Sequence, residues 1–202
     1  MSDISTISRR ESGEDRRRSI ALAARTLIAE KGLEGLRTRD IAQRVGINIA
    51  TLHYHVPTKE ALVALVAESL RDDFQAQAQR HPRTGKSGLE QLRLEFADFR
   101  ETVTDTPEMI VVLPNLFERA RRDPAIGAIV LPLYDYWRQQ FTDIFTLGIA
   151  DGSFRRNVDP AAAACIVTGA LSDHWRGWTD FRASLDALIA ELERAFIRNL
   201  TD

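Results

Sequence analysis

Between Thr38 and Pro57 the chain has room for two short helices and almost nothing else. Thr38 suits a helix N-cap, and Ile41 and Val45 form an apolar pair four residues apart on the segment that follows. Gly46 stops that segment. Asn48 is a second N-cap residue and opens Ile49-Ala50-Thr51-Leu52-His53-Tyr54-His55, which Val56-Pro57 ends, because a residue before proline avoids the helical region. Two short helices joined by a tight glycine turn have the form of a helix-turn-helix, a unit that sets the start of its second helix against base edges in the major groove. The same two capped helices could also simply pack in an α-bundle.

The flanking sequence is helical throughout. Ile20, Ala24, Leu27 and Ile28 share one face of a first helix starting at Glu14 and stopping at Gly32. That helix carries Arg16, Arg17 and Arg18 in its opening turns, where cations oppose the macrodipole and an external anion would favour them. Thr58 caps a fourth helix, Lys59 to about Gln79, with Leu62, Leu65, Val66 and Ser69 inward; a loop follows at residues 81–85. Leu89, Leu92, Phe96, Phe99 and Val103 recur at helical spacing after Gly88. Further helices start at Pro107-Glu108, containing Pro114, and at Asp123-Pro124, interrupted by Pro132 and ending near Asp151-Gly152. Asp159-Pro160 opens a helix reaching about Trp178, and the last runs from about Ala183 to Leu200. No alternating strand or internal repeat is visible. The expected fold is all-α, about nine helices, with an arm over residues 1–13 that lacks periodic order.

Composition narrows the function. Residues 1–60 carry 11 basic and 8 acidic side chains, the remainder 16 and 21, so a basic front precedes an acidic back. One cysteine, Cys165, excludes an internal disulfide framework or a cysteine zinc site. The polar N-terminus has no apolar secretory core, and no stretch is apolar enough to span a bilayer, so a cytoplasmic protein without a membrane partner is expected. His53 and His55 are two apart and diverge on a helix, so no metal site is expected, and no cofactor motif is present.

The stretch TRDIAQRVGINIATLHYHVPTKEAL resembles the DNA-binding domain of the tetracycline-repressor (TetR) family. In the tetracycline repressor's own pattern a Thr-Arg pair opens the second helix, and a Thr-Leu-Tyr-Trp-His-Val run and a lysine follow. Here Thr38-Arg39, Thr51 to Val56 and Lys59 correspond. The match covers about residues 16–63, under a third of the chain. Asp151-Gly152-Ser153-Phe154 and Asp159-Pro160 also resemble the turn before the dimerisation helices of such regulators.

The resemblance implies specific roles. Thr38 would hydrogen-bond a phosphate, and Arg39 would reach a guanine, whose O6 and N7 suit a guanidinium fork. Asn48, the cap of the recognition helix, would be among the DNA-binding residues, Ile49 and Ala50 would touch bases through apolar contact, and Thr51 and Tyr54 would also face DNA. Lys59 would meet a phosphate. His53 stands where the family usually has a tyrosine; it can still donate a hydrogen bond. Ile41, Val45, Leu52 and Val56 would be the core of a DNA-binding domain over residues 14–60. Residues 61–202 would bind a small molecule and dimerise, giving a ligand-released repressor on a pseudo-palindromic operator.

The back end allows that reading without requiring it. Phe96, Phe99, Leu113, Phe117, Tyr134, Trp137, Phe141, His174 and Trp178 are candidate pocket residues for a largely apolar effector, with Phe145 and Trp175 as further aromatics. Asn115, Trp137, Asp173 and His174 are the polar candidates, and kinks at Pro114 and Pro132 would open space. Aromatics at helical spacing equally describe a core. Ala161 to Ala164, Gly169 and Ala170 give a small-residue surface, and the last helix has the stripe Leu185, Leu188, Ile189, Leu192, Ala195, Phe196 and Asn199. Ala164, Leu171, Leu185, Leu188, Leu192 and Phe196 are the expected dimer contacts, as in a four-helix bundle. Two other readings compete: a helical enzyme, against which no Glu-x-x-His pair, phosphate loop or nucleophile elbow is found, and an architectural DNA binder, against which the acidic back half argues.

Overall fold

The computed structural model describes residues 12–176 and 184–197, apart from the side chains of Ile110, Trp175 and Arg176. Trp178, Asn199 and most of the expected N-terminal arm therefore lie outside the described residues. Within them the protein has nine α-helices, a 3-10 turn at Leu33–Gly35 and no strand beyond an isolated bridge between Phe154 and Ile197. The helices are α1 (Gly13–Lys31), α2 (Thr38–Val45), α3 (Ile49–His55), α4 (Lys59–Arg80), α5 (Gly88–Asp105), α6 (Met109–Ala120), α7 (Pro124–Asp151), α8 (Pro160–Arg176) and α9 (Leu185–Phe196). No described helix is long and apolar enough to cross a membrane.

Most helix starts follow from local capping. Ser12 and Asp15 form a capping box for α1, and Ser87 and Glu90 form one for α5. Asn48 accepts from the Thr51 amide at 2.7 Å and Thr58 from the Ala61 amide at 3.0 Å. Asp123 caps α7 through the Ala125 and Ile126 amides. One expected cap is displaced. Thr38 is already helical, and Arg37 occupies the N-cap position in extended backbone, its carbonyl accepting from Asp40 and Ile41.

Pro132 does not interrupt α7. The helix runs through it to Asp151, with Pro132 itself on the exposed side and Val130 and Phe141 buried on either side in sequence. Packing of the long helix outweighs the missing backbone bond. α6 likewise runs through Pro114.

Helix α7 is the centre of the body and packs against α4, α5, α6 and α8. Its approach to α5 depends on two glycines. A Cβ on Gly88 would lie 2.3 Å from the Gly148 Cα, and one on Gly148 would lie 2.1 Å from the Phe154 ring. The turn after α7 uses that space. Phe154 is fully buried against Phe145, which packs in turn on Phe196 of α9, and the Arg155 amide donates to the Phe196 carbonyl at 3.1 Å. Residues 151–154 thus dock the end of the last helix.

The expected dimer contacts are placed as follows. Ala164, Leu171, Leu192 and Phe196 are buried within one protomer, while Leu185 and Leu188 are half-buried against the same core. At the end of the α9 stripe Phe196 is covered by Phe145 of α7. On α8 the outward face is Ala161, Ala162, Cys165, Ile166 and Gly169, with Ile166 56% exposed.

Candidate DNA-reading face and effector cavity

Helices α1 to α3 form the first part of the site. Ile41, Ala42, Leu52 and Val56 are buried in one core with Ile20, Ala24 and Leu27 of α1, and Val45 is half-buried against it. The turn between α2 and α3 needs Gly46, whose φ of 75° and ψ of 31° are left-handed. Its neighbour Ile47 donates to the Ala42 carbonyl at 2.9 Å, completing the helix-stop motif. Ion pairs then fix α2 on α1. Arg44 grips Glu30 with two bonds of 2.9 and 3.0 Å, and Lys31 meets Asp40 at 2.7 Å. These bonds hold both carboxyls below their usual range. The pairs are exposed, so they set orientation more than stability.

With the core and turn fixed, the remaining side chains gather on the outside. Thr38, Arg39, Asn48, Ile49, Ala50, His53, Tyr54 and Lys59 are exposed, and Thr51 is half-buried. Ile49, at the start of the seven-residue α3, is 43% exposed, and Tyr54, in its last turn, is 85% exposed. Arg39 has no ion pair among the described residues, and Lys59 has only Glu34 at 3.8 Å. Arg17 is not held for an external anion. It pairs with Glu68 at 3.2 Å and reaches the His55 carbonyl at 3.5 Å, bracing α3 and α4 instead.

The second part is a cavity of about 330 Å³ between α4, α5, α6 and α7. Of the nine expected pocket residues, Phe99, Leu113, Phe117, Tyr134 and Trp137 line it. Phe117, Tyr134, Trp137 and Phe141 make successive edge-to-face contacts, but Phe141, like Phe96, is taken up in the core. His174 sits beside Phe99, with ring centroids 6.5 Å apart, and Asp173 is exposed; neither lines the cavity. Asn115 points elsewhere: its Oδ1 accepts from the Leu33 amide at 3.4 Å.

The polar end of the cavity is not among the residues expected from the sequence. Gln77 is buried on α4 and donates to the Asp98 carbonyl at 2.9 Å. Arg83, Glu95, Asp98 and Thr102 complete that wall. The one local signal is Gln77 itself, which continues the apolar stripe of Val66, Leu70 and Phe74 with a polar residue. His81, Asp98 and Glu101 also converge, their ligand-type atoms within 4.8 Å of one another, though Asp98 binds Arg83 and Glu101 binds Arg80.

Helix α6 joins the two parts. Leu113 and Phe117 line the cavity. Elsewhere on the same helix and at its head, Glu108 bonds Arg25 of α1 at 3.3 Å, Asn115 holds the Leu33 amide, and Arg119 pairs with Glu34 at 2.9 Å.

Comparison with known proteins agrees with this division. Residues 20–66 match the model for bacterial regulatory proteins of the tetR family. The HTH-type transcriptional repressor KstR2 of Mycolicibacterium smegmatis is 30% identical over 151 residues, covering 71% of this chain and 70% of that protein. The chain belongs to the TetR family. Solved structures extend the likeness of this TetR-family protein to its whole fold. A TetR-family regulator from Agrobacterium tumefaciens superposes with a TM-score of 0.79 at 22% identity, over 92% of this chain and 99% of that one. AibR, solved with isovaleryl coenzyme A and operator DNA, superposes with a TM-score of 0.72 at 22% identity, over 90% of this chain and 98% of that one.

Proposed function

We propose that this TetR-family protein is a ligand-released transcriptional repressor that binds a pseudo-palindromic operator as a homodimer. Residues 14–60 are its DNA-binding domain and residues 61–202 its effector-binding and dimerisation domain. Arg39 reads a guanine edge, Ile49, Ala50 and Tyr54 meet the groove floor and wall, and Thr38, Thr51, His53 and Lys59 hold the backbone. Asn48 fixes the start of the recognition helix. Half-sites lie about 34–36 Å apart, or a multiple of that. The protein acts in the cytoplasm, and no catalytic role is assigned to it. The DNA-binding and small-molecule parts of the reading are supported by KstR2, a repressor, and by AibR, solved with isovaleryl coenzyme A and operator DNA.

One observation carries the proposal. Tyr54, Ile49 and Arg39, the last without an ion pair among the described residues, share the outer surface of a helix-turn-helix whose core is otherwise closed. The effector limb follows from α6, which lines the cavity and holds α1. A ligand releases DNA only if it binds the DNA-incompetent arrangement more tightly. Fluorescence anisotropy with DNA from upstream of the gene tests this: a saturable complex that persists over scrambled competitor is expected, and binding no tighter than to scrambled DNA contradicts it.

A further inference from the structure

Aromatic side chains from α4, α5, α6 and α7 line part of the cavity, and Arg83, Glu95 and Asp98 bring charge to its wall. Glu95 and Asp98, neighbours on α5, share a single guanidinium. Arg83 Nη2 lies 2.5 Å from Glu95 Oε1 and 2.8 Å from Asp98 Oδ2, and the two carboxylate side chains are only 11% and 9% exposed. Two buried carboxylates against one cation leave one negative charge in excess. His81 Nδ1 lies 2.7 Å from Asp98 and offsets that excess only when protonated. Glu101 and Arg80 neutralise each other. Arg71, the other cation on the wall, is 54% exposed at the rim, where solvent screens it.

Uncompensated charge on side chains this buried is costly. Burial pushes the Glu95 carboxyl above its usual range, against the pull of Arg83. A cation entering the cavity would reverse that cost. The surrounding wall of Phe74, Phe99, Phe117, Tyr134 and Trp137 suits a particular kind of cation. Aromatic faces attract positive charge, and they accept a weakly hydrated organic group in place of a hydrated metal ion.

We propose that the effector is an organic ammonium on an apolar body, with its positive group set against Glu95 and Asp98 and its body among the aromatic side chains. This rests on the reading of the cavity as the effector site. The cavity makes the site, and the carboxylate excess selects the charge that enters it. An anion would face both carboxylates, and Arg83, whose Nη2 they already share, would offer it only the buried, unpartnered Nε.

Three probes of one shape separate charge from fit: phenyltrimethylammonium, tert-butylbenzene and benzenesulfonate. Each is titrated into the full-length protein, with binding followed by tryptophan fluorescence and calorimetry. Phenyltrimethylammonium is expected to bind at least about tenfold more tightly than tert-butylbenzene, with benzenesulfonate weakest. Glu95→Gln and Asp98→Asn should each bring the cation down towards the neutral probe. The ordering in the unmodified protein decides the matter even where a variant folds poorly. Equal affinities, a reversed order or no cation binding overturns the proposal. Operator affinity is measured separately with the same probes. A cation that binds as expected without releasing DNA leaves this assignment standing and sinks the repressor mechanism. A neutral or anionic probe that binds more tightly and releases DNA does the opposite.

Discussion

Arg25 of α1 and Glu108 at the head of α6 meet across the boundary between the DNA-reading unit and the helical body. Arg25 is 2% exposed; its Nη2 lies 3.3 Å from Glu108 Oε1, and its Nη1 lies 2.5 Å from Asp73 and 3.2 Å from the Ser69 hydroxyl of α4. One side chain from the DNA-binding unit thus touches two of the four helices that line the cavity. A shift of α6 against α4 must change this cluster, and with it the seating of α1.

Glu108→Gln keeps the shape of this contact and removes its charge. A hydrogen bond to a charged group contributes about 1.5–3 kcal/mol when buried, and the partial exposure of Glu108 lowers that to about 1 kcal/mol. Urea unfolding should show that decrease. Operator affinity without ligand should hold, while the ratio of affinities with and without effector should shrink. An unchanged ratio would remove Arg25–Glu108 from the coupling route.

Gly148→Ala should be among the most damaging small substitutions in the body. Its methyl group would enter the Phe154 ring, and the α5 backbone at Gly88 leaves no retreat. Overpacking of this kind costs about 1–3 kcal/mol, or more where backbone is involved. Phe154 also seats α9 through Phe145 and Phe196, so the variant should lose dimer as well as thermal stability. Calorimetry and light scattering on one sample test both.

The dimer surface is best probed on α8. Ile166→Arg places a charge on an outward position and should give a folded monomer. Leu192→Arg places one in the monomer core and should unfold the body, because an unpaired buried charge has no compensation. Circular dichroism with light scattering separates these outcomes. A folded Leu192→Arg monomer would return the interface to the α9 stripe.

Legibility in the sequence follows the range of the interaction. Gly46, Asn48, Thr58 and Asp123 act within a few residues of themselves, and their roles as stops and caps are readable from local chemistry. The apolar stripe of Leu192 and Phe196 is equally readable, but what covers it is not. Phe145 reaches Phe196 from another helix, and nothing in the local pattern says so. Arg25 looks like an ordinary position of an amphipathic helix because its partners lie 48 and 83 residues away. Asn115 fails for a related reason: its polarity is visible, but its direction depends on where the Leu33 amide comes to rest. Five of the nine expected pocket residues line the cavity because aromatic spacing marks candidate walls. The charged end stays hidden because Arg83, Glu95 and Asp98 come together only through the turn between α4 and α5.

In the proposed reading α2 and α3 read DNA, with Arg39 of α2 at a base and Lys59, at the start of α4, at a phosphate. A randomised-site selection on the unmodified protein, Arg39→Ala and Lys59→Ala, each repeated as a salt titration on the selected site, tests it most directly. Arg39→Ala should cost about 1–3 kcal/mol and relax one base position in each half-site. Lys59→Ala should leave the selected motif intact and flatten the log–log salt dependence by about one unit for each phosphate that it no longer neutralises. An unaltered motif for Arg39→Ala, together with an unaltered salt slope for Lys59→Ala, would contradict the assignment of this face to DNA.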